Sequence, residues 1–235
     1  MDVKRLILFD IDGTLLSGGP AKVAFHQALL QVFGTAGPID RWEFSGKTDP
    51  QIARELLRHD GLADPEIDTG LTSLWDCYLS GLEARLPDHP TQALPGVVAL
   101  LEALREEKEV ALGLVTGNLA RGAALKLGAA RLDGPFPIGG FGSDHEERNH
   151  LPGVALTRAR KQWGRAFAPE EVVVVGDTPR DVECGKAHGL RTLAVATGRF
   201  DVEVLEATGP EATLEDFSET ERVLRLLLDE PRNRT

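Results

Sequence analysis

The sequence predicts an α/β fold: a parallel sheet covered by helices on both faces, with an all-α helical segment inserted near its start. Three observations predict it. Short apolar runs without polar alternation recur along the chain, as strands buried on both faces require. Helix-period segments separate those runs, and that alternation implies a parallel sheet. After the first run come roughly 75 residues with helical patterning alone, enough for a small inserted unit.

Taken in order, RLILFD (5–10) is the first strand. SGGP (17–20) opens the insert and LPDHPTQALPG (86–96) closes it; both are rich in Gly or Pro and read as linkers. Helical patterns fill 21–34, 49–61 and 67–86, and no strand is expected between Leu16 and Pro95. The expected division is a core of 1–16 with 93–235, and a helical unit of 17–92. A helix over 96–109 then leads to the strand VALGLVT (110–116), and a helix over 151–164 to EVVVVGD (171–177). RDVECGKAHG (180–189) ends in Gly189, a helix stop, before the strand RTLAVAT (191–197). Farther on, 201–209 and 219–230 read as helices and 211–217 as a short edge strand. The polar tail DEPRNRT (229–235) is expected to fray.

The composition narrows the partners. A formal charge of −11 argues against nucleic acid and anionic membrane, which would both be repelled at long range. A small anionic substrate remains compatible if the site brings its own cations. Cys77 and Cys184 are too few and too distant for a disulfide framework or zinc site, and read as buried free thiols. No run approaches the roughly 18 apolar residues of a membrane span, and no signal peptide is visible, so a cytoplasmic protein is expected. Monomer and homodimer both remain open.

The chemistry lies at the strand ends, where open parallel sheets bind ligands. The first strand ends in Asp10, Ile11, Asp12, Gly13 and Thr14; the second in Thr116, Gly117 and Asn118; the third in Gly176, Asp177, Thr178, Pro179, Arg180 and Asp181. Asp10 and Asp12, two residues apart on a strand, point the same way. With Asp177 and Asp181 they place up to four carboxylates at one rim. Such a cluster needs a cation to stay ionised, and oxygen ligands select a hard one, Mg²⁺. Thr116, with the N–H groups of Gly117 and Asn118 opening the next helix, reads as an anion cradle.

DIDGT, LVTGN and VVVVGDTPRD, in this order, resemble motifs one, two and four of the haloacid dehalogenase superfamily. LPGV (94–97) and FSGKTD (44–49) resemble its phosphoglycolate-phosphatase-like branch, which carries a helical cap after the first core strand. The resemblance covers nearly the whole chain and implies a Rossmann-like three-layer core. It implies a Mg²⁺-dependent phosphatase acting on a small phosphorylated metabolite through an aspartyl-phosphate. Asp10 would be the nucleophile. Asp12 would be the general acid and base, protonated while Asp10 is ionised. Metal ligands would be Asp10, Asp177 and the main-chain carbonyl of Asp12, with Asp181 completing the outer shell. Thr116 and a motif-three cation would hold the phosphoryl oxygens; Arg148, just ahead of a helix, is the first candidate and Lys161, late in that helix, the second. Gly13, Gly117, Asn118 and, from the cap, Lys47 would contact substrate.

Blander roles stand beside these. Asp181 can cap its helix, Arg148 can be a solvated charge, and His145 and His150 show no ligand spacing. Two other functions use the same residues: a phosphotransferase or mutase, in which another hydroxyl replaces water, and a non-catalytic phosphate sensor. A signalling receiver domain is disfavoured by the insert.

Overall fold

The computed structural model describes residues 3–229. The chain begins with β1 (Arg5–Phe9) and β2 (Leu16–Gly18), then crosses α1 (Ala21–Phe33), α2 (Asp49–His59) and α3 (Asp64–Arg85). β3 (Thr91–Ala93) brings it back to α4 (Val97–Glu106), β4 (Val110–Thr116), α5 (Ala120–Ala129) and β5 (Ile138–Phe141). It continues through α6 (Leu151–Trp163), β6 (Val172–Gly176), α7 (Pro179–Lys186) and β7 (Arg191–Val195), and closes with α8 (Val202–Ala207), β8 (Ala212–Leu214) and α9 (Thr220–Leu228).

Among the described residues, six strands form one parallel sheet in the order β5-β4-β1-β6-β7-β8. β1 lies inside, with Leu6 in register with both Ala111 of β4 and Val172 of β6. Because side chains alternate along a strand, an all-apolar strand feeds two cores. Ile7, Phe9, Val173 and Val175 pack with Leu100, Leu127 and Leu227 from α4, α5 and α9. Leu6, Leu8, Val172 and Val174 pack with Ala155 and Cys184 from α6 and α7 on the other face. These two clusters make the core an α/β/α sandwich. The helices α1 to α3 bury a separate cluster that includes Phe25, Leu56 and Tyr78. Phe25 lies parallel to Trp75 with ring centroids 6.2 Å apart, and Trp42 donates its indole N–H to Glu55 at 3.0 Å. Both tryptophans are packing anchors.

The structure corrects the sequence reading at three places. Two strands lie where none was expected: β2 and β3 pair antiparallel, Leu16 with Ala93 and Gly18 with Thr91, at the two ends of the helical segment. Three-residue strands inside Gly- and Pro-rich stretches are too short to show a period of two. β5, with two glycines in four residues, carries little strand propensity and was also missed. Cys77 is half-buried, unlike the fully buried Cys184. The expected edge strand at 211–217 is β8. Residues 230–235 of the tail lie outside the described residues. No described helix is long and apolar enough to cross a membrane.

Candidate active site

Parallel pairing puts the C-terminal ends of β4, β1 and β6 side by side, so residues distant in sequence meet at one rim. Asp10 follows β1, and its N–H donates to Val175 O at 2.9 Å. Asp177 follows β6. Asp181 is fixed by the start of α7, where Thr178 is the N-cap and Pro179 takes the first turn, needing no N–H partner. Thr178 N–H and Oγ1–H donate to Asp181 Oδ2 at 2.9 and 2.6 Å, while Asp181 N–H donates to Thr178 Oγ1 at 3.3 Å, a reciprocal capping box. Asp181 is therefore both the cap and a member of the cluster.

Arg148 stands in a short 3₁₀ turn ahead of α6, with its side chain 5% exposed. Its Nη2 donates to Asp10 Oδ1 at 2.9 Å, to Val115 O at 3.3 Å, and to Asp181 Oδ1. Its Nη1 donates to Gly46 O at 3.4 Å, and its Nε is buried with no hydrogen-bond acceptor within reach among the described residues. Lys161 is exposed on α6. Between the two motif-three candidates, only Arg148 lies with the acids.

Asp10, Asp177 and Asp181 are buried, and each offers a carboxylate oxygen within 4.8 Å of the others'. Glycines clear the space. A Cβ on Gly198 would fall 1.8 Å from Asp177 Oδ2, one on Gly13 2.2 Å from it, and one on Gly176 2.1 Å from Asp181 Cγ. Gly13 also has φ +86°, a conformation open to glycine. Burial raises the pKa of Asp10; the Arg148 charge opposes it, and the Asp181 charge adds to it. Burial raises Asp177 further, aided by Asp181 and Asp10. Three buried acids with one guanidinium are short of positive charge. The all-oxygen donor set and its charge deficit fit a hard divalent cation such as Mg²⁺.

The second acid of DIDGT behaves differently. Asp12 stands outside that group of three and meets Lys126 of α5, whose Nζ donates to Oδ1 at 2.9 Å and Oδ2 at 2.7 Å. Asn118 Nδ2 also donates to Oδ2, at 2.7 Å. Partial desolvation acts to raise the pKa of the half-exposed Asp12, but the Lys126 ammonium and the Asn118 amide outweigh it, and the net shift is downward. With no cation bound, the two carboxylates are shifted in opposite directions: Asp12 has the Lys126 ammonium beside it, and Asp10 is crowded by other acids. Lys126 stays charged despite burial because Asp12 and Asp49 face it. Burial pushes Asp49 itself up to about 6 against Lys126 and the Leu119 N–H.

The remaining predicted residues fall as follows. Thr116 is buried at the end of β4 and accepts from Asn118 Nδ2 at 2.8 Å through its hydroxyl. The Asn118 side chain is spent inside the protein, on Asp12, Thr116 and Lys126. Gly117 admits the loop before α2: its Cβ would lie 2.1 Å from Lys47 O, and Asp49 N–H donates to Gly117 O at 2.8 Å. Lys47 does not join the acids. Its ammonium is paired with Glu55 and lies 5.6 Å from the Trp42 ring. His145 and His150 lean on each other with ring centroids 4.0 Å apart. Sequence reasoning missed Lys126 and Asp49 as members of the site. Lys126 had a visible signal, because it shares a helix face with Gly122, Ala123 and Leu127, where a charge is out of place.

The doubly wound α/β core thus gathers its acids around the ends of adjacent strands. Residues 7–195 match the model of the haloacid dehalogenase-like hydrolases, and the chain belongs to that family. It is 30% identical over 200 residues to phosphoglycolate phosphatase 1 of Pseudomonas aeruginosa, spanning 83% of this chain and 70% of that one. It is also 30% identical over 205 residues to N-acetylmuramic acid 6-phosphate phosphatase of Pseudomonas putida, spanning 85% and 86%. A hydrolase of Pseudomonas syringae has the same fold, with a TM-score of 0.68 at 21% identity, covering 96% of this chain and 100% of that one.

Proposed function

We propose that this chain hydrolyses a small phosphomonoester through a phosphorylated Asp10. The observation that carries the reading is the Arg148 guanidinium bonded to Asp10 and Asp181 beside Asp177, at the ends of two neighbouring strands. Asp10 and Asp177, with the main-chain carbonyl of Asp12, would hold Mg²⁺, and Asp181 would support it. When bound, the ion supplies positive charge that offsets the phosphoryl oxygens.

The protein's own groups do the rest. An Asp10 carboxylate oxygen bonds to phosphorus as the ester P–O bond breaks. Asp12 gives its proton to the departing alkoxide. In the second half Asp12 takes a proton from water as the water oxygen bonds to phosphorus, and the Asp10–phosphorus bond breaks. Phosphate leaves and both acids are restored. Arg148 and the Thr116 hydroxyl, whose hydrogen remains to donate, hold the phosphoryl oxygens. For the first step Asp12 must acquire a proton, so its lowered pKa in the ligand-free site has to rise when a phosphate dianion enters beside it.

Residues 17–92 act as a cap in this reading. Gly46 O accepts from Arg148, and Thr48 Oγ1 donates to Glu146 O at 2.6 Å, so the loop before α2 is bonded to the rim that carries the acids. The leaving group is a small alcohol of the phosphoglycolate or sugar-phosphate kind, the substrates named for the two relatives. The test is phosphate release over a panel of such esters, with and without Mg²⁺ and without any sugar acceptor. Mg²⁺-dependent release is expected. Transfer only to an added sugar would make the protein a phosphotransferase, and binding of phosphate with no turnover would make it a sensor.

A further inference from the structure

We infer that Lys126 is a positioning residue for Asp12, fixing its carboxylate where it meets the leaving oxygen; this rests on the reading of Asp12 as the general acid and base. Lys126 belongs to α5, outside the strand-end motifs, and its ammonium meets Asp12. Its ammonium has three hydrogens, and all three have partners: Asp12 Oδ1, Asp12 Oδ2, and Asn118 Oδ1 at 2.6 Å. Asn118 completes the ring. One of its amide hydrogens goes to Asp12 Oδ2 and the other to Thr116 Oγ1. Every polar atom of the two holding side chains is occupied, so neither is free to bind substrate without releasing Asp12.

The anchor and the acid differ in exposure. The Lys126 side chain is 5% exposed, whereas that of Asp12 is 47% exposed. The buried end is rigid and the held end faces open space. A buried ammonium costs several kcal/mol to desolvate, and the helix face it occupies is otherwise small and apolar. For packing alone, leucine or methionine would serve better. Thr91 Oγ1–H donates to Lys126 O at 2.7 Å, which further fixes the backbone of the anchor. A carboxylate held by both oxygens loses its rotamer freedom, which is what an acid aimed at one oxygen needs.

The experiment compares two esters in Lys126→Met. Loss of an aimed acid slows departure of an alkoxide far more than departure of p-nitrophenolate, which leaves without a proton. kcat/KM reports the steps through that departure. With an alkyl phosphate, kcat/KM should fall about 100-fold, within the usual range for general acid catalysis, while with p-nitrophenyl phosphate it stays within about three-fold. Equal losses on both esters would mean that Lys126 merely supports the fold, and would overturn the proposal. Asp12→Ala is the control: it must show the same split. If it does not, the acid–base reading of Asp12 fails, and the positioning role fails with it. If it does and Lys126→Met does not, only the role of Lys126 fails. Should Lys126→Met be insoluble, Lys126→Arg keeps the charge but moves the donors, and a split of about ten-fold is expected; no split would sink the idea.

Discussion

The two carboxylates of DIDGT, two residues apart, sit in opposite electrostatic settings. Asp10 shares its pocket with Asp177 and Asp181, is buried, and has its pKa raised. Asp12 faces Lys126 and Asn118, and its pKa is lowered. The first half of the site is short of positive charge and suited to a cation. The second already holds its cation as a side chain. The difference teaches that sequence adjacency sets neither charge state nor role; the partners do.

The largest expected effect breaks the first half. Asp10→Asn should abolish phosphate release and leave no phosphoenzyme after incubation with substrate, with the far-UV circular dichroism unchanged. Near wild-type turnover in that variant would end the assignment. Gly198→Ala comes next. Its new methyl group collides with the Asp177 carboxylate, so the thermal shift given by Mg²⁺ should shrink or vanish in a calorimetric titration.

The pH dependence of stability separates the halves by sign. Asp10 and Asp177 are raised from 3.8 to about 7 and about 9 without a cation. Their contribution is fully present below about 3.8 and is lost as pH rises through about 7 and about 9. In chelator-treated protein the Tm should therefore fall between pH 5 and 9, and Asp177→Asn should flatten that fall. Mg²⁺ should raise the Tm more at pH 8 than at pH 5, because at pH 5 it must displace protons. Asp12 contributes the other way: its stabilisation is present above 3.8 and is lost as pH falls through its lowered value. Asp12→Asn should soften only the acid limb.

The smallest effect is expected at Lys47. Its charge is matched by Glu55, away from the acids. Lys47→Ala should lower the Tm by about 2–4 °C and alter kcat little. A large rise in KM would show instead that Lys47 leaves Glu55 to meet substrate.

The sheet and the first half of the site were legible because both are written locally. All-apolar runs such as VVVV (172–175) read as doubly buried strands, and Asp10 and Asp177 stand at the ends of two of them. Helix starts were equally local: Thr178 and Asp181 carry their capping box within four residues. The second half was not legible because it joins elements that no short window spans. Asp12, Asn118 and Lys126 come from a strand end, a loop and a helix interior, and only the pairing of β1 with β4 brings them together. The ribbon of β2 and β3 failed for the same reason: its two halves are separated by three helices and hold three residues each.

The internal position of β1 fixes an order of assembly. It is the first strand in the chain, yet its neighbours begin at Val110 and Val172. At about 5–20 residues per second of synthesis, Leu6–Phe9 waits on the order of ten to thirty seconds for its second partner. Through that interval this apolar strand keeps an open edge, the kind of surface on which nascent chains aggregate. The acids cannot gather until β6 arrives, so affinity for a divalent ion would appear late and all at once, a reporter of complete folding rather than of any early stage.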